Sequence, residues 1–443
     1  MVNKERMKKE FEKLISFDSE SFHEREIYNY LKNKLIELGL DVKTDNVSSK
    51  FDSNDGGNNI YGFLKGNVEG ESILLSSHMD TVKPGIGKKV VYHDDGKVTS
   101  DGNSVLGSDD VTGIVEILEA LYQIKENNLK HPDIEVVFFV AEEPFCVGSR
   151  YFDYSLIKSK YAYVFDLSGE ICTIAISAPT ILSFDINVIG KSAHAGFEPE
   201  KGISAIAIAA KGISNLKLGR INEYTTLNIG LISGGTVRNA IPDNVVLKGE
   251  IRSSIHEKAL ETLDYVITIF DYVSKEYGGS ITYSSEENIH AYKISNDSIL
   301  IKNYQNALDK LGYGKCNIID TFGGSDNNNL NKNGIEGVVL SSAMNNVHTK
   351  EEYFYLEDFY KAAEIAIKLV TLDIWMSWKW TFFIFLWNNC WQIKILGVYY
   401  KHTIPTEIVW KENTGGKYMK MMCMCSMKKI LNTGRCFRMC SFE

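Results

Sequence analysis

The sequence predicts an α/β fold: a mostly parallel-sheet domain interrupted by an inserted ferredoxin-like α+β domain. Three observations carry this. Apolar runs of strand length alternate with helical periodicity, early in the chain and again near residue 300. Several of those runs end abruptly in His, Asp or Glu, as parallel strands do where they deliver side chains to a site. Between them the rhythm changes to a β-α-β-β-α-β order.

Residues 4–16 and 23–39 read as helices; Leu31, Leu35 and Leu38 recur at three-to-four spacing and Gly39 supplies a stop. Asn58–Leu64 and Ser72–Ser77 read as strands, the second an apolar run that turns polar. Residues 110–126 place Ile114, Ile117, Leu118 and Leu121 on one helix face. Ile134–Ala141 (IEVVFFVA) is a buried strand followed at once by Glu142–Glu143, and Tyr161–Phe165 is another, ending at Asp166. Beyond residue 177, Leu182–Val188 alternates like a half-exposed strand. A helix at 200–216, strands at Thr226–Ile232 and Val245–Arg252, a helix at 256–277 and a strand at Ser280–Ser284 complete the insertion. The α/β pattern resumes with a helix at 297–311, a GGSD loop at 323–326, a strand at Gly337–Leu340 and a helix at 357–371. Residues 1–176 and 292–375 thus form one domain in two parts around an insert at 177–291.

The 443 residues are too many for one ordinary core, and 44% hydrophobic with 24% charged residues is a globular composition. A net charge of −9 does not suit a nucleic-acid partner, which calls for a basic face. Residues 1–15 are too charged for a signal core, so the expected location is the cytoplasm. Composition breaks near residue 375: all six tryptophans and five of the eight cysteines lie at or beyond it. Residues 376–443 carry ten Lys/Arg against three Asp/Glu, a net of +7, which leaves −16 on the body. The apolar stretch Thr381–Trp387 is shorter than the roughly 20 residues of a membrane span. Cys423 and Cys425, then Cys436 and Cys440, lack the usual zinc spacings. The tail therefore reads as a shifted reading frame. Cys146, Cys172 and Cys316 show no pairing pattern and fit a reducing compartment.

The chemistry-bearing residues are individually plain. His78, at a strand end, can offer a ring nitrogen to a metal while Asp80, two residues on, fixes the ring; alone, the pair is most often an ordinary surface pair. Asp109–Asp110 precedes a helix and reads as an N-cap or as a carboxylate bridging two cations. Glu142–Glu143 is costly after an apolar run unless a positive charge is near; one can ligate while the other reaches an activated water. Asp166 ends a strand and His348 lies in a turn before the last helix. Two His and three carboxylates suit zinc, and equally cobalt or manganese.

With SSHMDTV at 76–82, LGSDDVTG at 106–113, AEEPFCVGS at 141–149, FDLSG at 165–169, GKSAHAGFEPEKGISAI at 190–206, NAIPD at 239–243, GEIRSS at 249–254, GGSD at 323–326 and NVHTKEEY at 346–353, the chain resembles the M20 metallopeptidases, in their peptidase T-like (tripeptide aminopeptidase) branch. The resemblance covers about residues 5–372 and implies two zinc ions. His78 and Asp166 would hold one, Glu143 and His348 the other, with Asp109 bridging, Asp80 orienting His78 and Glu142 as general base. It further implies a homodimer in which the insert is a dimerisation (lid) domain. His194 would then stabilise the oxyanion in the partner's site, and Asn239 and Arg252 would hold the substrate. Val111 stands where many relatives have lysine, and Pro144 stiffens the loop after the glutamates. The expected reaction is removal of the N-terminal residue from a short peptide. An N-acyl-amino-acid amidohydrolase or dipeptidase would need the same centre, and a catalytically silent relative would keep only the fold.

Overall fold

The computed structural model describes residues 2–51 and 55–371, and the backbones of two strands farther on. Met1–Thr381 is one compact unit. In the second, Glu407–Lys411 pairs antiparallel with Tyr418–Met422. The tail's cysteines and its apolar stretch Thr381–Trp387 lie outside the described residues, as does every tryptophan except Trp410 on the first of these strands.

The sheet of the first unit runs in space Asp41–Thr44, Ile60–Leu64, Ile134–Phe139, Ile73–His78, Tyr161–Leu167, Glu336–Ser341, Thr173–Ala178, Tyr292–Lys293. Its four central strands, from Ile134–Phe139 to Glu336–Ser341, are parallel, with antiparallel strands on either side. Both faces are covered, which is why the central strands read as continuous apolar runs. The pleat divides them: Ile73, Leu75, Val136 and Phe138 enter one core with Phe11, Leu31, Ile114 and Phe359, while Leu74, Val137 and Phe139 enter the other with Phe152 and Leu330. Because His78 pairs in register with Phe139, the carboxyl ends of neighbouring strands arrive side by side.

The insert leaves this sheet after Ala178 and returns at His290–Ala291. Its five strands lie in the order Gly219–Arg220, Thr225–Gly234, Asn244–Ser253, Thr180–Ile189, Ser280–Ile289, all antiparallel. Leu182, Phe184, Ile186 and Val188 alternate inward against Ala205, Ile208, Val266 and Phe270 of two helices, Ala205–Ser214 and His256–Glu276. The first of these starts later than the expected 200, because Ser204 caps it by accepting from the Ala207 N–H.

The other helices fall where the periodicity places them: Lys4–Ile15, Arg25–Leu38, Ser108–Asn127, Ile299–Leu311 and Leu356–Val370. The GGSD segment is not wholly loop. Ser325 forms a capping box with Asn328, and Asp326 opens a helix to Lys332. Among the described residues, no helix is long and apolar enough to cross a membrane.

Candidate active site

Three strand ends and two loops converge at the carboxyl edge of the parallel strands. His78 closes Ile73–His78 and Asp166 lies at the end of Tyr161–Leu167. Glu142 and Glu143 follow Ile134–Phe139, and His348 comes from a turn where its φ is 64°. Asp109 and Asp110 lead into helix Ser108–Asn127, but with φ/ψ of −81°/100° and −121°/34° they are not helical, and the peptide between them is cis. Gly113, one turn on, packs so tightly under the site that a Cβ would press on the Phe165 carbonyl and the Asp110 carboxylate.

Asp109 stands at the centre. Its Oδ1 is 3.1 Å from His78 Nε2 and its Oδ2 is 3.2 Å from His348 Nε2. Asp166 Oδ1 lies 3.8 Å from His78 Nε2, and Glu143 Oε2 lies 2.9 Å from His348 Nε2. Two groups result, His78–Asp109–Asp166 and Asp109–Glu143–His348, each with its donor atoms within 4.8 Å of one another, sharing one carboxylate. Asp109, Glu142, Glu143, Asp166 and His348 also line one cleft, together with Gly323–Ser325 and Met344. All five expected ligands and the expected base are thus brought together.

The electrostatics demand positive charge. Burial alone would favour neutral His78, but hydrogen bonds to Asp109, Asp166 and Asp80 hold its pKa well above the ordinary value. Hydrogen bonds to Asp109 and Glu143 raise His348 to about 10. Burial pushes Asp109 up, but His348 and His78 outweigh it and hold it below the usual carboxylate range. Glu143 rises to about 7 through burial and then the charge of Asp109, and Glu142 well above its usual value through burial and then Asp166. Glu143 Oε1 is buried with no hydrogen-bond partner. A free carboxylate oxygen amid two imidazoles and clustered carboxylates is a donor set that fits divalent cations.

Buried partners hold this set in shape, and three of them went unread in the sequence. Glu352 accepts from Gly107 N–H (2.8 Å), Ser108 Oγ–H (2.6 Å) and Asp109 N–H (2.9 Å), clamping the turn that aims Asp109. Asp110 accepts from Ser77 Oγ–H (2.5 Å) and His78 N–H (3.3 Å). Glu24 accepts from Ala141 N–H (3.0 Å), just before the glutamate pair. Asp80 has a wider role than expected. Its backbone carbonyl is 3.0 Å from His78 Nδ1, while its side chain accepts from the N–H groups of Glu142 (2.9 Å) and Glu143 (3.2 Å) and from Ser21 Oγ–H (2.7 Å). Cys146 Sγ–H reaches Glu142 Oε1 at 3.2 Å.

The insert's three residues are not part of this cluster. His194 is exposed; its Nδ1 accepts from Gly196 N–H (3.1 Å) and Phe197 N–H (3.2 Å), which places the ring proton on Nε2. Asn239 is exposed on the adjoining loop, where its carbonyl accepts from Ala195 N–H. Arg252 is tied to Glu250 at 2.6 and 3.2 Å and donates to the Phe322 carbonyl beside the cleft at 2.9 Å.

Residues 176–278 match the family profile of a peptidase dimerisation domain, and residues 59–171 that of peptidase family M28. The chain is 37% identical over 370 residues to the uncharacterized protein YqjE of Bacillus subtilis, covering 84% of this chain and 99% of the relative. It is similar to the crystal structure of a tripeptidase from Staphylococcus aureus, with a TM-score of 0.80 and 35% identity over 84% of this chain and 98% of the other. It is also similar to that of aminopeptidase PepT from Bacillus cereus, with a TM-score of 0.78 and 35% identity over 83% of this chain and 98% of the other.

Proposed function

Since the chain belongs to the M20 metallopeptidases, as a metallo-aminopeptidase of the peptidase T-like branch, we propose that it is a dinuclear zinc enzyme that releases the N-terminal residue of short peptides, tripeptides foremost. The observation that carries this reading is Asp109: one carboxylate with an oxygen toward His78 and the other toward His348, at 3.1 and 3.2 Å.

In this reading His78 and Asp166 hold one cation, Glu143 and His348 the other, and Asp109 bridges; cobalt or manganese would suit the same donors. When bound, such a pair supplies an activated water and polarises the scissile carbonyl. Glu142 takes the water's proton and passes it to the leaving amine. Its buried carboxyl, pushed well above the ordinary pKa, suits both halves of that task. Asp80 fixes the His78 ring and, through two backbone N–H groups, the position of both glutamates. His78, Asp80 and Glu142 are themselves buried.

Residues 1–176 and 292–375 then act as the catalytic domain and 177–291 as the lid and dimerisation domain. His194, exposed and with its proton on Nε2, serves the partner subunit's site as an oxyanion donor, and Asn239 and Arg252 hold the peptide. The unpaired Cys146, Cys172 and Cys316 go with a cytoplasmic location. The test is to offer the zinc-loaded protein a tripeptide, a dipeptide and an N-acetyl amino acid side by side and to count metal per chain. Release should be fastest from the tripeptide, with two zinc ions at the cluster around Asp109. Cleavage of acetylated compounds alone, or well under two metals, would overturn this reading.

A further inference from the structure

The two crossings between the catalytic body and the insert lie against each other: Ala291 N–H donates to Thr180 Oγ1 at 3.0 Å. At this junction three side chains converge that the peptidase chemistry does not use. His256 opens helix His256–Glu276, and its Nδ1 is 3.1 Å from Thr180 Oγ1, which leaves Nε2 to face Glu287, 3.9 Å from Oε2. His290, on the returning segment, has Nδ1 3.1 Å from Glu287 Oε1. The two imidazoles pack with centroids 4.2 Å apart and planes at 37°. One donor atom from each of His256, Glu287 and His290 lies within 4.8 Å of the others. Their side chains are 22%, 30% and 36% exposed, within reach of solvent yet held by packing.

Ion pairing alone explains this cluster poorly. Lys332 Nζ already neutralises Glu287 from 3.0 Å, on the same Oε1 that faces His290. Two further cationic rings stacked at 4.2 Å would repel each other, whereas neutral imidazoles present lone pairs. Two imidazole nitrogens and one carboxylate oxygen are the protein ligands of open zinc sites. The Thr180 hydroxyl supplies the hydrogen bond that fixes the other nitrogen of a ligating histidine. Lys332 and His290 both contact Glu287 Oε1, so Oε2, which faces His256, is the oxygen left for an ion.

We propose that His256, Glu287 and His290 form a further divalent-metal site, for zinc or an ion with the same preference for imidazole nitrogen. An ion there ties the insert's helix to the segment that re-enters the catalytic body. Lys332 is its built-in competitor.

The test counts zinc on the zinc-loaded enzyme after dialysis against a series of free zinc concentrations. Wild type should take up one zinc more per chain than His256→Ala/His290→Ala. Glu287→Gln, which keeps the side chain's shape, should lose the same ion. Thr180→Val should weaken that ion about tenfold by removing the ring's hydrogen bond. Lys332→Met should tighten it about tenfold by removing a neighbouring positive charge. The comparison is a difference between variants, so it stands whether or not the central site proves dinuclear or peptidolytic. Equal zinc uptake by wild type, the double variant and Glu287→Gln would overturn the proposal.

Discussion

His78 is 1% exposed, and its two nitrogens face Asp109 and the Asp80 carbonyl. His194 lies on the surface, with one nitrogen engaged by its own turn and the other open. The cluster around Asp109 is thus brought together within one chain, with His78, Asp109 and Glu143 held by buried Asp80, Asp110 and Glu352, whereas the loop around His194 and Asn239 is exposed. Burial and pairing prepare a site that must bind metal alone. Exposure with a fixed tautomer suits a group that works only when a second surface arrives.

The sharpest way to break this contrast is Glu142→Gln. It should lower kcat roughly 10²–10⁴-fold with both metals retained, read by steady-state kinetics and metal analysis. Substantial surviving turnover would remove Glu142 from the role of base. His194→Ala should cost about 10²–10³-fold in kcat with metal content unchanged. Mixing this variant with Glu142→Gln under conditions that exchange subunits should restore roughly a quarter of wild-type activity, since half the dimers are mixed and each has one intact site. No recovery from the mixture would place His194 in its own chain's site or outside catalysis. Asp80→Ala and Glu352→Gln touch only the supports and should weaken metal binding or activity by about 10–100-fold, measured by competition with a chelator.

The smallest effect concerns pH. Burial, reinforced by Asp80, raises Glu24 from 4.5 to about 8, and burial raises Asp326 from 3.8 to about 8. The folded chain keeps protons there that the unfolded chain has released. Their stabilising contribution is therefore complete below about pH 4 and is lost as pH climbs through about 8. His348, raised from 6.5 to about 10, changes in the same direction, and its contribution is lost as pH rises through about 10. The chelated protein should melt at a lower temperature near pH 8 than near pH 5.5, by a few degrees, in a thermal scan. Equal melting temperatures would show that these carboxyls are already ionised in the fold.

Much of this arrangement was legible in the sequence because its signals are local. An apolar run that stops at His78, Glu142 or Asp166 announces a buried strand and its delivered side chain together, and the alternation of Leu182–Val188 announces a sheet with one covered face. Short, partly exposed strands such as Asp41–Thr44 and Asn317–Asp320 gave no such run. Glu352, Glu24 and Asp110 were hidden for another reason. Their partners lie up to 245 residues away, and a buried carboxylate that accepts backbone N–H groups has no spacing of its own. The NVHTKEEY segment held the nearest hint, with two glutamates directly after the histidine's turn, but nothing local says which one points inward.

Strands Tyr161–Leu167 and Thr173–Ala178 are neighbours in sequence but not in the sheet, because Glu336–Ser341 lies between them. During synthesis the insert, whose strands all pair with one another, can close as soon as residue 289 has emerged. The main sheet must keep an open seam beside the strand that carries Asp166 until residue 341 arrives, and Asp109 waits eleven residues longer for the Glu352 clamp. The ribosome therefore presents a finished insert well before a finished Asp109 cluster, so the nascent chain passes through a long interval in which its acidic cluster is incomplete and its central strand edges are unpaired.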